Sequence, residues 1–215
     1  MTRRAGGTAQ PGRMRRVSDL VLVPAWREDP AVWAALSGLL RSRYSVSVAT
    51  LPGLAGGRAA HAGLVETAAA VAADHRGPIT VCGVGLGAMV ALELAAAHPE
   101  QVTQLVLVTR QVALSPVLLS LPAAVLRLLP VSTVERFARP DQVLALLYQV
   151  RPIDAAGPAA RANVQAVVLC GTRDRNNRRA SAALAAALPQ GELRLVPKAG
   201  PGWLTPETLA AQLLA

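Results

Sequence analysis

The sequence has few of the residues that build covalent or metal-stabilised sites. It contains 2 cysteines and 3 histidines in 215 residues. Two cysteines exclude a disulfide scaffold and a cysteine-built zinc site, and the histidines, all before residue 99, leave little for a histidine-built one. Aromatic residues make up only 3% of the chain, and no basic stripe interleaved with aromatics is present. We therefore predict no metal, no cofactor and no nucleic-acid partner.

Long unbroken apolar runs are also missing. The most apolar window, residues 112–131, is interrupted by three prolines and Arg127, whereas a bilayer span needs about 20 consecutive apolar residues. No segment has the pattern of a signal peptide. We predict a cytoplasmic protein that does not associate with membranes.

Positive charge is concentrated at the amino terminus. The 22 basic and 13 acidic residues give a formal net charge of +9, and five arginines lie in the first sixteen residues. The remaining 17 basic and 13 acidic residues give only +4, which is ordinary for a globular domain. Because residues 1–17 are also rich in glycine, threonine, glutamine and proline, we predict a disordered basic tail.

From residue 18 onward, short apolar runs alternate with longer alanine-rich stretches. Continuous apolar runs are typical of parallel strands that are covered on both faces. Asp29-Pro30 and Thr205-Pro206 each have the cap-then-proline pattern of a helix start. We predict one α/β domain over 18–215 with a doubly wound, mostly parallel sheet of about six strands. The predicted strands are 20–23, 46–49, 79–82, 105–108, 166–170 and 192–196, and the predicted helices are 30–42, 62–75, 86–98, 176–188 and 206–214.

One interval, residues 111–163, breaks this alternation. It holds no convincing strand, and its leucine-rich pieces are divided by Pro116, Pro122, Pro130, Pro140 and Pro152. We predict a helical insertion that covers a binding crevice at the carboxyl ends of the strands. The alternative is a purely structural appendage.

The glycine-rich turn at residues 83–88 joins a predicted strand to a predicted helix. Gly83, Gly85 and Ala88 fit a dinucleotide-binding fingerprint, and Arg110 after the next strand would suit the phosphorylated ribose of NADP. Gly83, Gly85 and Gly87 also fit the nucleophile elbow G-x-S-x-G, with glycine in place of the serine. A third interpretation is a turn that only lets a helix pack closely on a strand. The six residues alone leave these alternatives open.

Five further segments resemble the α/β-hydrolase superfamily, in the family's order and over roughly residues 18–215. They are Leu20-Val-Leu-Val-Pro-Ala-Trp26, Val48-Ala-Thr-Leu-Pro-Gly53, Ala96-Ala-His98-Pro-Glu-Gln-Val102 with the strand that follows, Val167-Val-Leu-Cys-Gly171-Thr-Arg-Asp174, and Leu195-Val-Pro-Lys-Ala-Gly-Pro201-Gly-Trp203. The resemblance implies an α/β-hydrolase fold with a helical lid at 111–163. It also implies a site built from the elbow, an oxyanion loop and the loops that carry the acid and the histidine of a catalytic triad.

This chain departs from the family pattern at the residues that do the chemistry. The nucleophile position is Gly85 and the base position is Pro201, so that only Asp174 matches its triad role. Acyl transfer by this fold needs an oxygen nucleophile and a neighbouring base. The backbone N–H groups of Trp26 and Leu86 do not depend on side chains and are expected to bind a carbonyl oxygen or an anion.

We therefore expect a protein with a disabled triad that binds a small apolar or carbonyl-containing ligand, or a protein partner, without turnover. Ligand-binding residues would be Trp26, Gly85, Leu86 and Pro201, with Asp174 as a vestigial acid. The alternatives are an active enzyme of the family, esterase-like or acting on carbonyls through other groups, and the NADP-binding protein. His61 is the candidate substitute base. A competent hydroxyl or thiol within hydrogen-bonding reach of an imidazole at the mouth of the sheet would contradict the non-catalytic hypothesis. The oligomeric state is not predicted.

Overall fold

The computed structural model describes residues 18–25, 28–49, 60–109, 155–200 and 203–215. The predicted basic tail lies outside these ranges, as does most of the predicted lid. Six strands and six helices are defined in the described ranges. The strands are β1 Ser18–Val23, β2 Tyr44–Val48, β3 Ile79–Val84, β4 Val102–Val108, β5 Gln165–Gly171 and β6 Gly191–Val196. The helices are α1 Pro30–Leu40, α2 Ala60–Asp74, α3 Leu86–Ala97, α4 Ala156–Arg161, α5 Arg175–Ala187 and α6 Pro206–Leu214.

The six strands form one parallel sheet in the order β2-β1-β3-β4-β5-β6. Successive strand residues point to opposite faces, so Val21 and Val23 join one hydrophobic cluster and Leu20 and Leu22 join another. Helices α2, α3, α4 and α5 cover the first cluster, and α1 and α6 cover the second. The predicted doubly wound α/β sheet is confirmed.

The predicted helix starts at the two proline motifs are also correct. The Asp29 carboxylate accepts a hydrogen bond of 2.9 Å from the Ala31 N–H at the start of α1. Thr205 and Thr208 form a reciprocal capping box at the start of α6. In both helices proline occupies the first turn, where its missing N–H leaves no backbone bond unmade.

Helix α4 comes from the last part of the segment that was predicted as a lid. Its Ala159 is fully buried and joins the cluster shared by α2, α3 and α5. This end of the segment therefore belongs to the layer that packs on the sheet, and a lid over the rest stays a prediction. None of the helices in the described ranges is long and apolar enough to cross a membrane.

Candidate active site

The turn between β3 and α3 places Gly85 at the carboxyl edge of the sheet. All six residues of β3 are buried, and α3 begins immediately after Gly85. Gly85 has φ 57° and ψ −114°, a backbone region that glycine adopts readily and that is strained for other residues. The Gly85 N–H donates to the Val108 carbonyl at 2.9 Å, and the Ala88 N–H donates to the Gly85 carbonyl at 3.1 Å. These bonds fix the turn against β4.

Two neighbouring glycines allow this sharp turn because backbone comes too close for a side chain. A Cβ added at Gly83 would lie 2.7 Å from Ala88 Cα and closer still to the Gly87 carbonyl oxygen. A Cβ added at Gly87 would lie 2.6 Å from the Val23 carbonyl carbon. The close packing of α3 on β3 and β1 therefore accounts for the glycines at 83 and 87, as the third interpretation of the motif held.

The loop between β1 and α1 faces the turn. A Cβ added at Gly85 would meet Ala25 Cβ at 3.3 Å, the one contact within 4 Å that the described residues provide. The Glu28 carboxylate holds this loop: it accepts from the Ala25 N–H at 3.3 Å and from the Trp33 indole N–H at 3.0 Å. Glu28 was not predicted to hold the loop, because that role depends on a hydrogen bond between the loop and helix α1. Trp26, predicted to bind ligand, lies outside the described residues.

Asp174 is buried at the start of α5, beyond the carboxyl end of β5. One carboxylate oxygen accepts from the Asn177 N–H at 3.3 Å and the other from the Asn177 side-chain amide at 2.7 Å. These contacts make Asp174 the cap of α5 and orient its carboxylate toward Asn177. Strand β4 lies between β3 and β5, so the strands that lead to Gly85 and Asp174 are about 10 Å apart, or two strand spacings. Pro201 lies outside the described residues.

A second buried polar contact joins the two halves of this edge. Thr109 follows β4 and Ser181 lies on α5, and their hydroxyl groups are hydrogen-bonded to each other. Ser181 is fully buried and sits one turn after Asn177, which is 3% exposed. Polar side chains therefore lie along α5 from Asp174 to Ser181, which contacts the residue after β4. No local pattern indicates this contact, because its partners are 72 residues apart.

Exposed arginines surround the start of α5. Arg173, Arg175, Arg178 and Arg179 are all exposed, and the one acid among residues 173–179 is the buried Asp174. Four positive charges and one negative charge leave a local formal charge of +3. The carboxyl edge next to Asp174 therefore attracts anions.

The histidines do not reach this edge as bases within the described residues. His98 caps the end of α3 through its backbone N–H. His75 follows α2 and bonds to Ser47 on β2, a contact that the sequence analysis missed. The side chain of His61 lies outside the described residues. Among the residues that the structure describes, no three histidine, cysteine or acidic side chains are grouped to hold a metal.

The two cysteines are unpaired and buried. Cys82 is on β3 and Cys170 is on β5, with β4 between them. Two strand spacings, about 10 Å, separate β3 from β5, which is beyond the reach of a disulfide.

Proteins of known function supply relatives of part of this chain. No protein-family profile matches the sequence. The pimeloyl-[acyl-carrier protein] methyl ester esterase of Aromatoleum aromaticum is 39% identical over 90 residues, which is 42% of this chain and 36% of that protein. The same esterase from Aeromonas hydrophila is 39% identical over 95 residues, again 42% of this chain and 37% of that protein. The matches thus span little more than a third of the relatives' length.

Solved structures resemble nearly the whole chain. A lipase-esterase related protein from Clostridium acetobutylicum superposes with a TM-score of 0.67 at 13% identity, covering 94% of this chain and 96% of that one. A thermophilic esterase from Thermogutta terrifontis gives a TM-score of 0.57 at 20% identity, with coverages of 92% and 88%. At such identities the likeness shows the fold. The chain has the α/β-hydrolase fold, and the resemblance seen in the sequence is confirmed.

The expectation of a non-catalytic ligand-binding protein is contradicted by the sequence comparison. The relatives are named as esterases. This supports the first alternative given above, an active hydrolase of the family. The physical reason is that glycine at 85 excludes an acyl-serine at that position but not hydrolysis by other groups on the same scaffold. The inference from two missing side chains to a missing activity was too strong.

Proposed function

We propose that this chain, whose fold is that of the α/β-hydrolases, is an esterase-like hydrolase that cleaves a carboxylic ester beside the turn at Gly85. The observation that carries the proposal is the backbone at Gly85, which is bent to φ 57° immediately before α3 begins. The first N–H groups of a helix have no partner within it and carry its positive end. In this proposal the Leu86 N–H, the first of α3, polarises an ester carbonyl and stabilises the oxyanion that forms from it.

Water is the nucleophile in this proposal. Position 85 has no side chain, and among the described residues only Ala25 Cβ lies within 4 Å of a Cβ added there. The proposal therefore assigns the place of the serine hydroxyl to a water molecule. The water oxygen adds to the carbonyl carbon, the tetrahedral intermediate collapses, and the bond to the alcohol oxygen breaks. One water proton ends on the alcohol and the acyl group leaves as a carboxylic acid. No acyl-enzyme forms at the turn.

The substrate class follows from the charge near Asp174. Four exposed arginines at the start of α5 favour an ester whose acyl chain ends in an anion or is carried by an acidic protein. The relatives' name, which specifies a methyl ester on an acyl-carrier protein, supports the same class. A cytoplasmic location fits this substrate and stays a prediction.

The experiment compares Gly85→Ala with Gly38→Ala in the hydrolysis of methyl and p-nitrophenyl esters with anionic or neutral acyl chains. At Gly85 the added methyl group fills the water position and adds about 1–3 kcal/mol of backbone strain. Gly38 is exposed on α1 with no atom within 4 Å of an added Cβ, so it is the matched control.

We expect Gly85→Ala to lose at least 100-fold in kcat/KM while Gly38→Ala keeps the activity of the parent. In H₂¹⁸O the acid product carries one ¹⁸O, and rapid mixing with the anionic esters shows no burst of alcohol. Equal kcat/KM in Gly85→Ala and the parent, or a burst that is mapped to a covalent adduct at the carboxyl edge, overturns the proposal.

A further inference from the structure

A serine and a histidine form a hydrogen-bonded pair far from the turn at Gly85. Ser47 Oγ lies 2.9 Å from His75 Nε2, and His75 Nδ1 lies 2.9 Å from the Val71 carbonyl oxygen. A carbonyl oxygen can only accept, so Nδ1 carries the proton of the neutral ring. Nε2 is then the acceptor, and the Ser47 hydroxyl donates to it. This is the bond polarity of a nucleophile and its general base, with the ring oriented by a third group.

The pair borders a cavity of about 420 Å³ between β2 and α2. That volume suits a small molecule. Ser47 and His75 are both half-buried, so the hydroxyl is within reach of a ligand and part of the water around it is excluded. Strand β2 is the edge of the sheet, and the side chain of Ser47 faces α2 rather than the carboxyl edge where Gly85 lies.

The charge of the cavity is opposite to that at the start of α5. Among the described residues that line it, the charged ones are the acids Glu66 and Asp74, and none is lysine or arginine. Carboxylates repel an anionic acyl group. The cavity therefore selects neutral or cationic ligands.

We propose that Ser47 and His75 form a second, ester-reactive site that accepts the acyl group of a small neutral or cationic ester. Ser47 Oγ bonds to the carbonyl carbon while its proton moves to His75 Nε2. The bond between that carbon and the alcohol oxygen then breaks, and the alcohol takes the proton from the imidazolium. The products are an ester of Ser47 and a free alcohol. The proposal does not rest on hydrolysis at Gly85.

The rate of this acylation is expected to be slow. The group that orients His75 is the neutral Val71 carbonyl, which stabilises an imidazolium less than a carboxylate does. Acylation of one serine per molecule is therefore the expected signal rather than rapid turnover.

The experiment uses p-nitrophenyl acetate and a neutral fluorophosphonate, with intact mass and peptide mapping of the full chain. We expect one adduct per molecule, located on Ser47, and no such adduct on Ser47→Ala. His75→Gln should lower the labelling rate at least 100-fold, since general-base catalysis contributes about 10²–10⁴-fold. Ser45→Ala is the matched control, because Ser45 is an exposed serine on the same strand and on the same side of it. Its labelling should equal that of the parent chain.

Mapping on the unmodified chain keeps the proposal testable even where a variant does not fold. An adduct absent from Ser47, or formed at the same rate in folded His75→Gln, overturns it. A fluorophosphonate with an anionic group should label Ser47 at least 10-fold more slowly, and equal labelling overturns the assigned ligand class. Labelling reports on Ser47 alone, whereas steady-state hydrolysis of anionic esters reports on the turn at Gly85. The two proposals can therefore fail separately.

Discussion

Replacing Gly83 by alanine tests how closely α3 must pack on β3 for the turn at Gly85 to form. The added Cβ would lie 2.7 Å from Ala88 Cα, whereas ordinary contacts of this kind begin near 3.4 Å. The start of α3 must therefore move by at least about 0.7 Å. One atom of this contact is a Cβ and the other is a backbone Cα, so no side-chain rotation relieves it.

The expected cost is that of overpacking a buried site, about 1–3 kcal/mol in the free energy of unfolding. For a chain of this size each kcal/mol lowers Tm by about 2–4 °C, so we expect Gly83→Ala to melt about 2–12 °C below the parent. The movement of α3 also displaces the Leu86 N–H group. Since a misplacement of 1 Å can cost about 100-fold in rate, we expect about a 10-fold loss in kcat/KM for ester hydrolysis.

Thermal unfolding and ester kinetics are measured on Gly83→Ala beside Gly38→Ala, in which no atom lies within 4 Å of the added carbon. The same substitution on the exposed face of α1 should raise stability by about 0.5–1 kcal/mol. If Gly83→Ala matched Gly38→Ala in Tm and kcat/KM, the close approach of α3 to β3 would not be what shapes the turn.

Three further predictions concern the loops and the core. Asp174→Ala should lower the free energy of unfolding by about 1–2 kcal/mol, because α5 loses its cap. Denaturant unfolding measures this change, and a stability equal to the parent's would contradict the capping role. Glu28→Ala should lower kcat for ester hydrolysis more than it raises KM, because Ala25 and Trp33 lose the carboxylate that holds their loop. Unchanged kinetics would show that the loop keeps its position without the Glu28 carboxylate. Burial raises the pKa of the Cys82 thiol from 9.0 to about 12, so the unfolded state loses its proton first and stability falls as pH rises from 9 to 12. Cys82→Ala should show a shallower fall, measured by unfolding at pH 8 and pH 10.5, and an identical slope would refute the link.

The predicted strands and helices agree with the structure because they rest on local patterns. The apolar run 79–82 became the buried strand β3, and Asp29-Pro30 and Thr205-Pro206 became helix caps. The bounds shifted by up to three residues, since strand ends depend on pairing with neighbours. Cys82, for example, is followed by Gly83 and Val84 in β3, both paired with β4.

The candidate site was predicted only in part. The turn at Gly85 follows from three glycines and the buried strand before them. Asp174 was predicted as a vestigial acid, and its role as the cap of α5 was not predicted. The bond from Glu28 to Trp33 and the contact between Thr109 and Ser181 were missed. Glu28 and Trp33 are near each other in the chain, but no motif marks a loop carboxylate as the partner of an indole on the next helix. Thr109 and Ser181 are 72 residues apart, and no spacing in the sequence predicts which elements lie side by side.

The sequence by itself determined the order of the elements, the parallel sheet and the glycine turn, because periodicity, caps and backbone freedom act over a few neighbouring residues. Only the tertiary structure brought Ser47 to His75, which lie 28 residues apart in the chain. It also placed the acids of α2 at the cavity beside β2 and the arginines at the carboxyl edge of the sheet near Asp174. Such pairings depend on strand order and register, which set distances between residues that are remote in sequence. The chemistry open to this chain therefore follows from the folded arrangement as much as from the residues missing at positions 85 and 201.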